Sequence, residues 1–222
     1  TTLKNGYRKK VWLTNGATNL EELALKTKNV YLRRLKSEIG DMPEKTIIPA
    51  HRKLTTKQWG EYEDLWEEYL IERKRKKKSG EPERALVEQG NKAIIFTNYT
   101  EELQALVSHF GNRCVFHFGE MNDKAKQKSI DKFQTNDKVE VFIGNIMSAG
   151  VGITLTKATY VVFNSFDWVP GNNEQAEDRA YRLGQKNNVT VYYQLFEDTV
   201  SMTMWQTLHR KKKVIDIIMG EQ

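Results

Sequence analysis

A chain of 222 residues with 29% charged and 39% hydrophobic side chains can bury one sizeable core, or one compact lobe plus an appendage. Its single cysteine, Cys114, excludes a disulfide framework and a cysteine zinc cluster, and no apolar run reaches the ~18 residues of a membrane span. A net charge of +6 and a pI of about 9.2 favour polyanionic partners such as nucleic acid, although solubility alone also accounts for such a balance. With no membrane span and no secretory leader at its start, an intracellular protein is expected, and an opening residue of Thr1 suggests a fragment of a longer chain.

Residues 1–19 read as loop, after which Thr18 or Asn19 caps a helix whose apolar face is Leu20, Leu23, Ala24 and Leu25. Residues 46–51 read as a short strand. Thr55 and Gln58 form a capping box, and Trp59, Tyr62, Leu65, Trp66, Tyr69 and Leu70 recur at helical spacing behind it. That helix runs into Arg73, Lys74, Arg75, Lys76, Lys77 and Lys78 before breaking at Ser79-Gly80-Glu81-Pro82. A basic run of this kind is either a solvated helix end or a contact to phosphate backbone, where each cation releases condensed counterions.

From Asn91 onward the pattern alternates between short apolar strands and helices. Strands are predicted over 92–97, 113–118, 139–144, 160–164 and 189–196, and helices over 101–110 (capped by Thr100), 122–134 and 199–219. Apolar strands separated by helices indicate a parallel sheet covered on both faces, with ligands beyond the carboxyl ends of the strands. Thr97-Asn98, Gly119, Gly144-Asn145 and Asn164-Ser165 all fall at those ends, a polar and glycine-bearing rim. Gly150 and Gly152 follow the third of these strands, where the backbone turns tightly or approaches something closely.

The densest chemistry lies in Gln175-Ala176-Glu177-Asp178-Arg179-Ala180-Tyr181-Arg182-Leu183-Gly184-Gln185. Arg179 and Arg182 are three apart on what reads as a helix ended by Gly184, so both guanidiniums leave on one side and can reach one target. A pair of planar, permanently charged forks suits a phosphoryl group gaining charge during transfer. Alternatively, Glu174, Glu177 and Asp178 pair with the arginines on a solvated helix face.

Three stretches together decide between these readings. Gln175 to Gln185 resembles the last motif of SWI/SNF-type ATPases, a branch of the superfamily-two helicases. Ser148-Ala149-Gly150-Val151-Gly152-Ile153-Thr154-Leu155-Thr156, with Tyr160 to Asn164 and Phe166 to Gly171, resembles the motif before it. Ala93-Ile94-Ile95-Phe96-Thr97-Asn98-Tyr99 resembles the motif that opens the second RecA-like lobe. The flavour is that of the annealing-helicase-like branch. The resemblance implies a RecA-like α/β fold, a parallel sheet with helices on both faces plus an N-terminal helical protrusion and linker. Residues 1–50 would be the interlobe linker, where Tyr31 to Lys36 and Met42 to Lys45 resemble the joint between lobes. Residues 51–90 would be the protrusion with the basic run, and 91–222 the second lobe.

By the same resemblance Arg179 and Arg182 are arginine fingers, and Gly150, Gly152 and Gln175 lie at the nucleotide. Thr97, Asn98, Ser148 and Thr154, with Arg73 to Lys78, contact DNA phosphates. Met147, Phe118, Tyr181 and Val169 depart from residues frequent in the family. No phosphate-binding G-x-x-x-x-G-K-[ST] loop and no acidic strand end for Mg²⁺ occur in the chain. ATP would therefore be shared with a first RecA-like lobe that holds the Mg²⁺, and this segment alone would be inactive. Duplex or branched DNA is the expected partner, a membrane is not, and a monomer is expected. The rivals are a non-catalytic nucleic-acid-binding α/β module and a small-molecule enzyme on a doubly wound sheet, such as a nucleotide-sugar transferase.

Overall fold

The computed structural model describes residues 19–27, 42–56, 91–149 and 152–219. The chain divides into two compact units: residues 36–208, which hold the sheet, and residues 1–35 with 209–222. In chain order the described elements are α1 (Leu20–Thr27), β1 (Lys45–Arg52), β2 (Ala93–Thr97), α2 (Thr100–Phe110), β3 (Cys114–His117), α3 (Asp123–Thr135), β4 (Val141–Asn145), α4 (Ile146–Ala149), β5 (Tyr160–Phe163), α5 (Pro170–Glu177), β6 (Val189–Phe196) and α6 (Val200–Met219). The six strands form one sheet in the order β1-β6-β5-β2-β4-β3, every pairing parallel.

The predicted α/β sheet with helices on both faces is what forms. Ala93, Ile95, Val141, Ile143 and Val162 face α2 through Leu103, Leu106 and Phe110. Their neighbours Ile94, Phe96, Phe142, Val161 and Phe163 face the other side, against Phe133 of α3, Ala176 of α5 and Leu208 of α6. Near-continuous apolar runs are what a strand covered on both faces requires. On the second face an aromatic column crosses three strands: Phe96 stacks on Phe163 at 5.4 Å, and Phe163 on Tyr193 at 4.4 Å. Trp205 of α6 closes the column 4.9 Å from Tyr193. Each such ring contributes about 1.5–3 kcal/mol by leaving water.

Capping is local where the side chains allow it. Asn122 accepts from the Ala125 N–H at 2.8 Å and starts α3, and the Lys92 ammonium donates to the carbonyls of Phe133 and Asn136 at its other end. Thr100, by contrast, lies inside α2; Tyr99 takes the cap position and makes no side-chain cap bond.

The strand predicted over 46–51 forms as β1 and joins the sheet beside β6, so a segment read above as linker supplies the sheet's edge among the described strands. The N–H groups of Val189 and Glu197 donate to the carbonyls of Glu44 and Arg52. Even-numbered β1 residues therefore face β6, and odd-numbered ones, Pro49 included, turn their backbone polar groups outward.

His117 ends β3 almost fully buried, its ring 6.1 Å from Phe142. Among the described residues its Nδ1 has no hydrogen-bond partner. Burial, then the Lys126 charge, pushes its pKa below the ordinary value. The unfolded chain then binds the proton more readily, so this contribution to stability is complete above the unfolded pKa of about 6.5 and is lost as pH falls towards the lower folded value. Thermal melts of wild type and His117→Leu between about pH 7.5 and 5.5 should show the wild type losing more Tm on acidification. Parallel decline would remove His117 as the cause.

Candidate functional site

The helix carrying the arginine motif stops earlier than its sequence suggests. α5 ends at Glu177, and residues 178–185 form consecutive turns rather than helix to Gly184. Past Glu177 the backbone bonds tighten to three-residue turns, from Arg179 N to the Ala176 carbonyl and from Ala180 N to the Glu177 carbonyl, and the next carbonyls meet other partners. The Arg179 carbonyl accepts from Leu155 N at 2.9 Å, and the Ala180 carbonyl accepts from Gln185 Nε2 at 3.1 Å. Gly184 then turns the chain at φ +97°, a conformation that favours glycine.

Convergence of the two guanidiniums survives this correction by a different geometry. Arg179 Nη1 and Arg182 Nη1 both donate to the Ile153 carbonyl, at 3.3 and 3.4 Å, and Arg182 Nη1 also reaches Thr154 Oγ1 at 3.2 Å. Arg179 is half-buried and Arg182 exposed. Burial first, then the charge of Arg182, lowers the Arg179 pKa, with Asp178 opposing. An anion brought to the two guanidiniums would relieve the repulsion between them.

A buried carboxylate anchors this turn. Glu177, 2% exposed, accepts from the Tyr193 hydroxyl and from the Lys45 ammonium, each at 2.7 Å. It does not serve the arginines as a surface counter-ion. The pair ties the end of α5 to β6 and to the first residue of β1, and Lys45 also lies 5.4 Å from the Tyr181 ring centroid. The Tyr193 phenol is pushed well above its usual range by burial and then by the Glu177 charge. Gln185 holds the far side, donating to the carbonyls of Ala158 and Ala180 and accepting from the N–H groups of Lys186 and Asn187. Glu177 and Gln185 were not singled out from sequence as anchors. One signal was available: Asn173, Ala176, Glu177 and Ala180 recur at the spacing of a buried helical stripe, and all four are buried.

The second assembly is the carboxyl edge where β2 and β5 lie side by side while their following helices go to opposite faces, a topological switch point. There Ser165 Oγ donates to Glu102 Oε2 at 2.6 Å and accepts from Asn98 N at 2.8 Å, and Asn145 Nδ2 donates to the Asn98 carbonyl at 3.1 Å. Asp167 holds the next loop, accepting from Val169 N and Asn172 Nδ2, while Asn173 bonds both backbone groups of Asp167. The polar rim expected from sequence is thus largely turned inward as cross-links. What it exposes is apolar: Tyr99 (60%), Met147 (62%), Trp168 (44%) and Val169 (49%).

Residues 77–184 match the family model of the helicase conserved C-terminal domain. Over 93% of its length the chain is 30% identical to the DNA annealing helicase and endonuclease ZRANB3 of Mus musculus, of which it spans 22%. It is 31% identical, over 90% of its length, to the SWI/SNF-related matrix-associated actin-dependent regulator of chromatin subfamily A-like protein 1 homolog of Caenorhabditis elegans, spanning 33% of that protein. The Sulfolobus solfataricus SWI2/SNF2 ATPase core in complex with dsDNA superposes with a TM-score of 0.59 at 25% identity, over 90% of this chain and 52% of that one. The chain carries the C-terminal, RecA-like lobe of a SWI/SNF-type helicase.

Within this RecA-like lobe the other residues singled out from sequence are placed as follows. Thr97 is fully buried, and its hydroxyl donates to the Tyr99 carbonyl while accepting from Tyr99 N, so it shapes the turn from inside. Asn98 is half-buried at the switch point, and Ser148 donates to the Asn145 carbonyl at 3.3 Å. Thr154 is exposed; having accepted from Arg182, its hydroxyl keeps its own proton to donate. Gly152 is exposed at φ +72°, and Gln175 is exposed on α5. Gly150 and the run Arg73, Lys74, Arg75, Lys76, Lys77 and Lys78 lie outside the described residues, as do the aromatic stripe of 59–70 and the joint at 31–36. Of the departures from the family pattern, Met147 accepts a 3.6 Å contact from Asn172 Nδ2, Phe118 stacks on Phe116 at 5.9 Å, and Tyr181 packs under Lys45. Among the described residues no helix is long and apolar enough to cross a membrane.

Proposed function

We propose that this lobe is half of an ATP-driven DNA translocase, closing on a first RecA-like lobe with the nucleotide between them. The observation that carries the reading is the meeting of the Arg179 and Arg182 guanidiniums at Ile153 and Thr154. Two fixed cations on a turn anchored by a buried carboxylate are pre-organised to receive developing negative charge without reorganising. ATP with Mg²⁺ would supply the phosphoryl group whose transfer to water drives the cycle. Arg179 and Arg182 would exchange the Ile153 carbonyl for phosphate oxygens, and Gln175 and Gly152 would lie along the same cleft, Gly150 with them. We assign Mg²⁺ to the other lobe.

DNA would run along the carboxyl edge, where Asn98, Ser148 and Thr154 offer sequence-independent contacts to phosphate and Thr97 fixes the turn beneath them. Arg73 to Lys78 would add further phosphate contacts from the protrusion of residues 51–90, on a monomeric motor working wherever its intracellular DNA lies. The test is ATPase activity of the full-length protein with no DNA, duplex DNA and branched DNA. DNA should raise kcat several-fold or more. A protein that binds DNA yet shows no turnover under any of these conditions is the non-catalytic binding module instead.

A further inference from the structure

We infer that Lys45, at the start of β1, is a positioning residue for the arginine pair, holding residues 177–189 in place from a segment far upstream in the chain. The inference rests on the DNA-motor reading above and adds to it a residue that touches neither nucleotide nor DNA.

Two consecutive residues, Glu44 and Lys45, reach this stretch at three places. At its start the Lys45 ammonium donates to Glu177 Oε2 at 2.7 Å. The Glu177 carbonyl in turn accepts from the N–H groups of Ala180 and Tyr181, which lie between the two arginines. In its middle the same ammonium lies 5.4 Å from the Tyr181 ring centroid. At its end the Glu44 N–H donates to Asn188 Oδ1 at 3.1 Å, and the Glu44 carbonyl accepts from Val189 N at 2.9 Å. The register that pairs Lys45 with Val189 puts both side chains on the face of the sheet that α5 covers.

An ion pair on the surface would contribute little, but this one is largely withdrawn from water. Glu177 is almost fully buried and Lys45 half-buried, and among the described residues Lys45 is the cation paired with that carboxylate. The Tyr193 hydroxyl satisfies the other oxygen but brings no charge. Without Lys45 a buried carboxylate keeps one neutral donor, and it regains solvation only by moving towards water. Glu177 cannot move alone, because its carbonyl carries Ala180 and Tyr181 with it. The displacement therefore reaches both guanidiniums, where a misplacement of about 1 Å can cost about 10²-fold in rate. On the motor reading residues 42–45 are where the joint between the lobes enters the sheet. The arginines are then held from the segment that links them to the other half of their site.

The test is steady-state ATPase of the full-length protein with saturating duplex DNA. Lys45→Met should lower kcat by about 10–100-fold while KM and DNA affinity stay within about threefold of wild type. Lys45→Arg, which keeps a cation for Glu177, should recover most of the loss. In an Arg179→Ala background Lys45→Met should cost about threefold or less, because residues that act as a unit are not additive. A full-sized loss in that background overturns the inference and marks a general structural role. Wild-type kcat in Lys45→Met overturns the inference alone, whereas no turnover by the wild type removes the motor reading with it. Should Lys45→Met fail to fold, Lys45→Met/Glu177→Gln carries the comparison, since it strands no charge. Its melting temperature should approach that of wild type while kcat stays low. Recovery of kcat together with stability overturns the inference.

Discussion

Arg179→Ala or Arg182→Ala in the full-length protein should lower kcat for ATP by about 10³-fold or more, the range expected for arginine fingers. That loss corresponds to about 4 kcal/mol of transition-state stabilisation. Lys at either position restores little, because an ammonium cannot reproduce the bidentate fork that a guanidinium offers a phosphoryl group. DNA affinity without nucleotide changes by less than about threefold, and melting temperatures stay close to wild type for the exposed Arg182. Arg179 is half-buried, so its variant needs the melt as a control before its kinetics are read. If turnover persists while DNA affinity collapses, the arginines are backbone clamps and the catalytic assignment is wrong. The 222-residue chain alone, which carries no phosphate-loop motif, should turn over no ATP in the same assay.

Glu177→Ala is the substitution expected to cost most stability. It strips the buried Tyr193 hydroxyl and the Lys45 ammonium of a shared partner in one step. Breaking a buried ion pair from one side costs about 3–5 kcal/mol; with Lys45 23% exposed and able to recruit water, the lower end applies. Glu177→Gln is milder, since its carbonyl can still accept from Lys45 or from the Tyr193 hydroxyl. Tyr193→Phe removes one hydrogen bond and costs about 1–2 kcal/mol. Urea unfolding of the three variants should rank Ala worst, with Gln and Phe between it and wild type. In the full-length protein the folded Gln variant should lose kcat more than DNA affinity, because the shift is felt two residues later at Arg179. Equal unfolding free energies for Ala and wild type would mean the network is incidental.

The sheet was legible because each strand carries its own instruction: a run of apolar, β-branched or aromatic residues bounded by polar ones, as in Ala93 to Thr97 and Val189 to Phe196. α3 was legible as a helix over 122–134, although Asn122 proves to be its cap and not its first residue. The arginine turn was not, because what ends α5 is remote in sequence. Glu177 reads as a surface acid until Lys45, 132 residues away, and Tyr193, 16 away, are brought to it. That the two guanidiniums could meet was legible from their spacing; the turn on which they meet was not, since it involves Leu155, whose N–H bonds the Arg179 carbonyl. Thr97 shows the opposite failure. A polar residue at a strand end suggests a working group, yet its hydroxyl is spent on closing its own turn.

Pro49 gives β1, the outermost of the described strands, a further property. Its position in the ladder points the missing N–H away from β6, so the pairing that builds the sheet is complete while the outward row lacks a donor. A second molecule approaching with its own strand would meet an interrupted template, flanked by the charged ends Lys45 and Arg52. The same eight residues that extend the sheet by one strand also discourage a neighbouring copy from extending it by another.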